Sequence, residues 1–127
     1  MADAAPIFRT RTSLRGDIER LGVLPGDTVM VHAAMRRVGR LLNGADALIG
    51  ALLDATGPHG TIIPYTDWDA GYEALLDRDG RVPAQWRERI PPFDAARSRA
   101  ARENGVLAEF LRISTGAQRS GNPGASV

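Results

Sequence analysis

Hydrophobic positions along the chain predict two short strands joined by a helix. Residues 28–31 form one apolar run, and residues 61–65 form another that has Pro64 near its end, where a missing N–H is tolerated. Between the two runs, Gly44-Ala-Asp46 is a helix start and Gly57-Pro58 a helix stop. The stripe that we expect this helix to bury has helical spacing and consists of Leu48, Ile49, Leu52 and Leu53. A strand, a helix and a strand within about forty residues predict a parallel pair with a right-handed crossover.

Two further helices are predicted, one before this unit and one after it. Leu14, Ile18 and Leu21 recur at helical spacing, with Thr12 or Ser13 as the cap and Gly22 as the stop. We expect the residues before this helix, 1 to about 11, to be loose. The second helix opens at Asn104-Gly105, and its apolar side is expected to consist of Val106, Leu107, Phe110 and Leu111.

The segment between the second strand and the last helix has weak periodicity. Pro83, Pro91 and Pro92 interrupt it, so we expect short helical pieces within a long excursion. Excursions of this length in compact domains are usually functional or disordered. The predicted fold class is therefore α/β: a βαβ-based, mostly parallel sheet flanked by helices, in a single domain over residues 1–127.

A sheet of two parallel strands is thin, and parallel sheets are usually covered on both faces. The last residues, Gly-Ala-Ser-Val, look like the beginning of a strand or helix. We therefore expect residues 1–127 to be an incomplete domain, the N-terminal part of a larger protein.

Composition and charge narrow the function classes. The chain has 127 residues, of which 43% are hydrophobic and 24% charged, as in ordinary globular domains. A net charge of +1 gives no electrostatic argument for a nucleic-acid or membrane partner. The absence of cysteine excludes disulfides and a catalytic thiol, and it fits a cytoplasmic protein. No signal peptide and no membrane-spanning apolar run is visible, and the two isolated histidines do not have metal-ligand spacing.

The first candidate site lies where the first strand ends. Ligands in α/β sheets bind outside the carboxyl ends of strands, and His32 stands at that position. The small residues Ala33 and Ala34, and then Met35, allow a ligand to approach backbone N–H groups, while Arg36 and Arg37 suit phosphate oxygens. The structural alternative is a histidine that closes the strand, a helix start packed on the sheet and a solvated basic pair.

The second candidate site follows the second strand and is rich in acids and aromatics. It consists of Tyr65, Asp67, Trp68, Asp69, Tyr72 and Glu73. Carboxylates pair with ammonium groups, and aromatic faces stack on sugar rings or receive cations. The alternative is a polar surface loop with a few packed aromatic side chains.

The third candidate is a glycine-rich turn near the end of the chain. It offers a charge, two hydroxyls and an amide, from Arg119, Ser120, Asn122 and Ser126. The alternative is an ordinary turn, because Asn-Pro and glycine favour turns.

Taken in order, these segments resemble the aminoglycoside 3-N-acetyltransferases, the antibiotic acetyltransferase family. Val31-His-Ala-Ala-Met35 is similar to the family's Val-His-(Ala/Ser)-Ser-Leu, and Arg119-Ser-Gly-Asn-Pro-Gly-Ala-Ser126 to its Arg-Ser-x-(His/Asn)-Pro-x-x-Ser. Tyr65-Thr-Asp-Trp-Asp69 with Tyr72-Glu73, and Pro91-Pro-Phe-Asp94, resemble acceptor-binding segments of the family. The resemblance covers essentially the whole chain, and Ala34 departs from it where a serine is common.

The resemblance implies an acyltransferase that moves an acetyl group from acetyl-coenzyme A to the 3-amino group of a 2-deoxystreptamine aminoglycoside. His32 is implied as a supporting catalytic residue that also contacts coenzyme, with the main base beyond residue 127. The other implied coenzyme-binding residues are Ala33, Ala34, Met35, Arg36, Arg37, Arg119, Ser120, Asn122, Pro123 and Ser126. The implied acceptor-binding residues are Tyr65, Asp67, Trp68, Asp69, Tyr72, Glu73, Phe93 and Asp94.

Two other functions stay open from the sequence. The first is a non-catalytic module that binds coenzyme A or an aminoglycoside without transfer, since the 127 residues can lack the base. The second is an acetyltransferase for another amine. The acid-rich segment at residues 67–73 favours a polycationic acceptor without excluding a monoamine.

Overall fold

The structure, a computed structural model, describes residues 7–127. Positions 1–6 of the segment that we expect to be loose lie outside the described residues. The elements in chain order are α1 (Arg11–Arg20), β1 (Thr28–Val31), α2 (Met35–Val38), α3 (Ala45–Thr56), β2 (Thr61–Pro64), α4 (Ala84–Arg87) and α5 (Val106–Arg112), with single 3-10 turns at Tyr72–Leu75 and Arg102–Asn104.

The predicted βαβ unit is confirmed. β1 and β2 pair in parallel, with Thr28 opposite Thr61 and Val31 opposite Pro64, and α3 connects them. Gly57 ends α3 with φ of 69°, a left-handed conformation that glycine adopts without steric cost. At Gly60 an added Cβ would lie 2.3 Å from Thr56 Cβ, so the exit from α3 into β2 requires glycine.

The core lies between α1, α3 and α5. It consists of Leu14, Ile18, Ala47, Leu48, Ala51, Leu52, Ala55, Leu107 and Leu111. The alanines of α3 are small, which allows α1 to pack closely against it. Val31 and Ile62 bring the sheet onto the same cluster. The α/β class, with a parallel pair flanked by helices, is therefore confirmed.

Several predicted core positions are wrong. Leu53 is 53% exposed, and Val106, Phe110 and Leu21 are also exposed. The buried faces of α3 and α5 include alanines, Ala51 and Ala108 among them. A prediction based on large side chains alone therefore places the buried face at the wrong angle around each helix. Leu21 lies past the last turn of α1, so helical spacing no longer directs its side chain inward.

The start of α1 also differs from the prediction. Thr10, not Thr12 or Ser13, caps the helix: its hydroxyl accepts from the Ser13 N–H at 3.1 Å, and Ser13 Oγ accepts from the Thr10 N–H at 2.9 Å. This reciprocal pair is a capping box with serine as its second member. Arg9 pairs with Leu41 as an isolated parallel bridge, so the expected loose segment is ordered at positions 9 and 10.

The connections follow the prediction in part. α2 occupies Met35–Val38, and the connection from α2 to α3 begins at Gly39. The long excursion after β2 contains short helical pieces, as predicted, and the last residues form turns. Among residues 7–127, no helix combines the length and apolar character that a membrane span needs.

Candidate functional site

The two strands bring the first two candidate segments to one edge of the sheet. Because Val31 pairs with Pro64, the residues that follow, His32 and Tyr65, start their loops from adjacent strands, about 4.8 Å apart by strand spacing. The 104–105 turn lies against both loops. Asn104 Nδ2 donates to the Thr66 carbonyl at 3.1 Å, and a Cβ on Gly105 would lie 3.1 Å from the Ala33 carbonyl.

The loop after β1 presents mixed surfaces. The His32 side chain is exposed, whereas Ala33 and Met35 are half-buried and pack against the core. Ala34 is exposed in front of α2, whose Arg36 and Arg37 are also exposed. Groups that can contact a phosphate here are therefore the backbone N–H groups and the two guanidinium groups. Their role in coenzyme binding stays a prediction.

Asp67 is held from several directions. Its Oδ1 accepts from the Trp68 N–H at 2.9 Å and from the Ala125 N–H at 3.3 Å, and its Oδ2 accepts from the Tyr65 hydroxyl at 3.4 Å. Burial, followed by the charge of Asp67, raises the pKa of Tyr65, which favours the protonated phenol that donates to Asp67. The Asp67 carboxylate therefore organises its own segment.

Asp69 and Glu73, in contrast, are exposed carboxylates. Asp69 Oδ2 lies 3.3 Å from Arg102 Nε, but the Arg102 side chain is 94% exposed. A pair this solvated is weak, so a cationic ligand can replace Arg102 at low cost. These two side chains are the ones in the acidic segment best placed for ammonium groups.

An aromatic cluster lies beside these acids. The Trp68 ring centroid is 5.5 Å from that of Tyr72 and 5.5 Å from that of Phe93, which meets it edge-on at 68°. The structure thus brings the predicted Phe93 to the acid-rich segment at residues 65–73 from a distant part of the chain. Its neighbour Asp94 accepts from the Ala96 N–H at 2.9 Å and the Arg97 N–H at 3.2 Å, which is a turn-stabilising arrangement.

Arg119 is half-buried and bonds to other segments. Its Nε donates to Ser126 Oγ at 3.1 Å, while Nη1 donates to the Ser98 carbonyl and Nη2 to the Asp67 carbonyl. Its guanidinium carbon is 4.9 Å from the Phe93 ring centroid. Burial, then the charge of Arg112, lowers the pKa of Arg119 from its ordinary value.

Ser126 is fully buried beside it. Its hydroxyl lies 3.1 Å from both the Asp67 carbonyl and Thr66 Oγ1, and its own carbonyl accepts from the Asp67 N–H at 3.0 Å. Its hydroxyl is enclosed by these partners, and the coenzyme role that the resemblance implies for Ser126 stays a prediction. The rest of the turn is exposed, namely Ser120, Asn122 and Pro123, and their coenzyme role stays a prediction.

Sequence reasoning missed Thr66, which is 1% exposed and central to the site. Its hydroxyl donates to the Ser126 carbonyl at 2.7 Å, and its own carbonyl accepts from the Ala101 N–H at 2.8 Å. A threonine between an aromatic and an acid has no distinguishing pattern. Its place directly after a strand was the single available signal.

An apolar groove of about 450 Å³ lies beside β2, bounded by Leu53 of α3, Leu111 of α5 and residues 114–119. Of the predicted site residues, all of which fall within the described range, Arg119 alone lines it. None of the acids and aromatics described above lines the groove, but Thr66 does.

The sequence matches known proteins along most of its length. The family model described as aminoglycoside 3-N-acetyltransferase matches residues 30–127. An aminoglycoside N(3)-acetyltransferase III of Pseudomonas aeruginosa is 38% identical over 121 residues, which cover 95% of this chain and 45% of the relative. An aminoglycoside N(3)-acetyltransferase VIII of Streptomyces fradiae is 42% identical over 92% of this chain and 41% of the relative. The chain thus spans less than half the length of these curated relatives.

Solved structures agree with the sequence comparison. A binary complex of AAC-IIIb with CoASH matches with a TM-score of 0.88 and 61% identity, over 94% of this chain and 45% of that one. AAC-VIa bound to sisomicin matches with a TM-score of 0.86 and 36% identity over the same shares. On the match over residues 30–127, the chain belongs to the aminoglycoside 3-N-acetyltransferase family.

Proposed function

We propose that the protein containing these residues transfers an acetyl group from acetyl-coenzyme A to the 3-amino group of a 2-deoxystreptamine aminoglycoside, which confers antibiotic resistance. The observation that carries the proposal is the meeting of two unlike segments at one sheet edge. One segment follows β1 and carries His32 and the arginines of α2. The other follows the adjacent β2 and carries the acids and aromatics. Membership of the family supports the reaction class.

The chemistry requires both segments. An aminoglycoside carries several ammonium groups, which suit exposed carboxylates such as Asp69 and Glu73. Its sugar rings suit the faces of Trp68 and Tyr72. Coenzyme A carries phosphates, which suit Arg36, Arg37 and the backbone N–H groups after β1.

Transfer also requires a base, because the attacking amine is protonated near neutral pH. The oxyanion that develops on the thioester carbonyl needs hydrogen-bond donors, and His32 stands at the strand end as a candidate. Within residues 7–127, no hydrogen bond joins the His32 ring to a carboxylate. We propose that the main base comes from residues beyond position 127.

The lack of such a pair favours a second candidate function for the 127 residues by themselves: binding of coenzyme A or aminoglycoside without transfer. A third candidate, acetylation of another amine, is less well supported, because the exposed carboxylates favour a polycation. Acetyl-coenzyme A is a cytoplasmic metabolite, and we propose that the protein acts in the cytoplasm.

The test compares the 127-residue chain with the product of the complete reading frame that contains it. Each is mixed with acetyl-coenzyme A and a gentamicin-like or neomycin-like acceptor, and thiol release is followed. The proposal expects release from the complete product and little or none from the 127 residues. Calorimetric binding without release from either protein would favour the binding module, and release with a monoamine alone would favour the third candidate.

A further inference from the structure

Two strained backbone positions meet at one contact. Within residues 7–127, three non-glycine residues have positive φ, and two of them are Asp67 at 55° and Ala125 at 61°. A left-handed conformation is sterically disfavoured for residues that have a Cβ. The Ala125 N–H donates to Asp67 Oδ1 at 3.3 Å, so the two strained residues hold each other. Such strain persists where the surrounding structure imposes it, and it often occurs at functional sites.

Arg119 and Ser126 form the hydrogen bonds that hold the Asp67 backbone. The Asp67 carbonyl accepts from Arg119 Nη2 and from Ser126 Oγ, and the Asp67 N–H donates to the Ser126 carbonyl. Both backbone polar groups of this residue are therefore bonded to the turn near the end of the chain. Rotation of Asp67 out of its left-handed conformation would break these bonds.

The same guanidinium connects Asp67 to the aromatic cluster. Arg119 Nη1 donates to the Ser98 carbonyl, and the guanidinium lies over Phe93, which meets Trp68 edge-on. Each of its three nitrogens therefore has a partner within the protein. A guanidinium bonded in this way has little capacity left for a phosphate, and the hydroxyl of Ser126 is fully buried.

We propose that Arg119 and Ser126 are positioning residues for the acceptor and not coenzyme ligands: they hold Asp67 in its left-handed conformation and thereby orient Trp68 and Asp69. The inference rests on the proposed function for the identity of the acceptor. It reassigns two residues whose motif alone suggested coenzyme contact. The backbone direction set at Asp67 determines where the next two side chains project, so a change at Arg119 acts on acceptor binding from a distance.

The test uses the Trp86→Phe background, in which Trp68 is the only tryptophan, because the sequence has two. Arg119→Lys keeps the charge and removes the planar fork. Ser126→Ala removes one hydroxyl and serves if Arg119→Lys fails to fold. Arg97→Lys, at an exposed arginine in the neighbouring turn, is the matched control.

Both variants, but not the control, should shift Trp68 emission to longer wavelength, because the Phe93 and Asp67 contacts loosen. In the product of the complete reading frame, Arg119→Lys should raise the KM for the aminoglycoside about fivefold or more and change the KM for acetyl-coenzyme A less than about twofold. Unchanged Trp68 emission overturns the positioning role. So does a KM for acetyl-coenzyme A that rises as much as the KM for the acceptor.

These outcomes are distinct from failure of the proposed function. If the parent protein transfers no acetyl group to any aminoglycoside, the function is wrong, and Trp68 emission still decides whether Arg119 and Ser126 hold the segment. If the parent is active and the emission is unchanged, the function stands and the positioning role does not.

Discussion

At the scale of single residues, two aspartates that are two positions apart in the sequence differ in what their carboxylates do. Asp67 Oδ1 and Oδ2 accept bonds from Trp68, Ala125 and Tyr65. Asp69 has one solvated partner, Arg102. Asp67 therefore maintains the segment, whereas Asp69 can exchange its partner for a ligand.

Asp69→Asn is expected to weaken the binding of a polycationic acceptor more than that of a monoamine, since it removes a charge and keeps the shape of the side chain. The KM for a neomycin-like acceptor should rise about fivefold, near the upper limit for an exposed ion pair. Steady-state kinetics on the product of the complete reading frame measure the change. Asp79→Asn, in an exposed turn, is the control. Equal effects of the two substitutions would remove Asp69 from the acceptor site.

At the scale of elements, α5 is attached to the segment before it through the carboxylate of Glu109 and the guanidinium of Arg112. Glu109 Oε2 accepts from the Ala100 N–H at 2.8 Å, and Glu109 Oε1 accepts from Arg99 at 3.0 Å. Arg112, whose side chain is 5% exposed, donates to the same carboxylate and to the Ala96 carbonyl at 2.7 Å. This network connects α5 to the turn that carries Phe93 and Ser98.

The network predicts an acid-dependent loss of stability. The hydrogen bond from Arg112, followed by those from Ala100 and Arg99, lowers the pKa of Glu109 from 4.5 to about 2. A lowered pKa stabilises the fold above the unfolded value, near 4.5, and that contribution disappears as the pH falls toward 2.

Glu109→Gln should therefore cost on the order of 2 kcal/mol of unfolding free energy at pH 7. It should also flatten the dependence of that free energy on pH between 4.5 and 2. Urea unfolding at several pH values measures both effects. Glu19→Gln, in the exposed pair with Arg15, should leave the pH dependence unchanged. If Glu109→Gln retains the full acid dependence, a different carboxylate is responsible.

At the scale of the whole molecule, the described chain leaves apolar surface uncovered. The groove beside β2 is lined by Ile62, Ile63 and Leu111 among others, and Leu53 stands at its border. Exposed apolar patches mark surfaces that bind another protein segment or a ligand. The relatives are more than twice as long as the matched region, which gives them chain with which to cover such a groove.

The 127-residue chain is expected to bind an apolar dye such as anilinonaphthalene sulfonate in this groove. Leu53→Glu should reduce the dye fluorescence about twofold or more, because a charge then borders the apolar surface. It should change stability by less than about 0.5 kcal/mol, since Leu53 is exposed. Leu21→Glu, outside the groove, is the control. If the complete product is longer, it should bind less dye, and equal binding would mean that the groove stays open.

Much of the architecture is determined locally, which is why the sequence predicts it. The Gly57-Pro58 stop follows from backbone sterics, and the parallel pairing follows from the length of the connection. The order of motifs is enough to show the family. The sequence predicts the buried faces of α3 and α5 less accurately, because alanines are buried as fully as leucines where two helices approach closely.

The division of labour within the site was decided only by the tertiary structure. Sequence spacing places Asp67 and Asp69 together, whereas the family resemblance implies coenzyme contacts for Arg119 and Ser126. The fold bonds Arg119 and Ser126 to Asp67 across more than fifty positions and buries the Ser126 side chain. The physical reason is that the hydrogen-bond partners within reach of a polar side chain determine whether it is free to bind a ligand or is used to stabilise the fold. Those partners come from segments that have no local relation in the sequence.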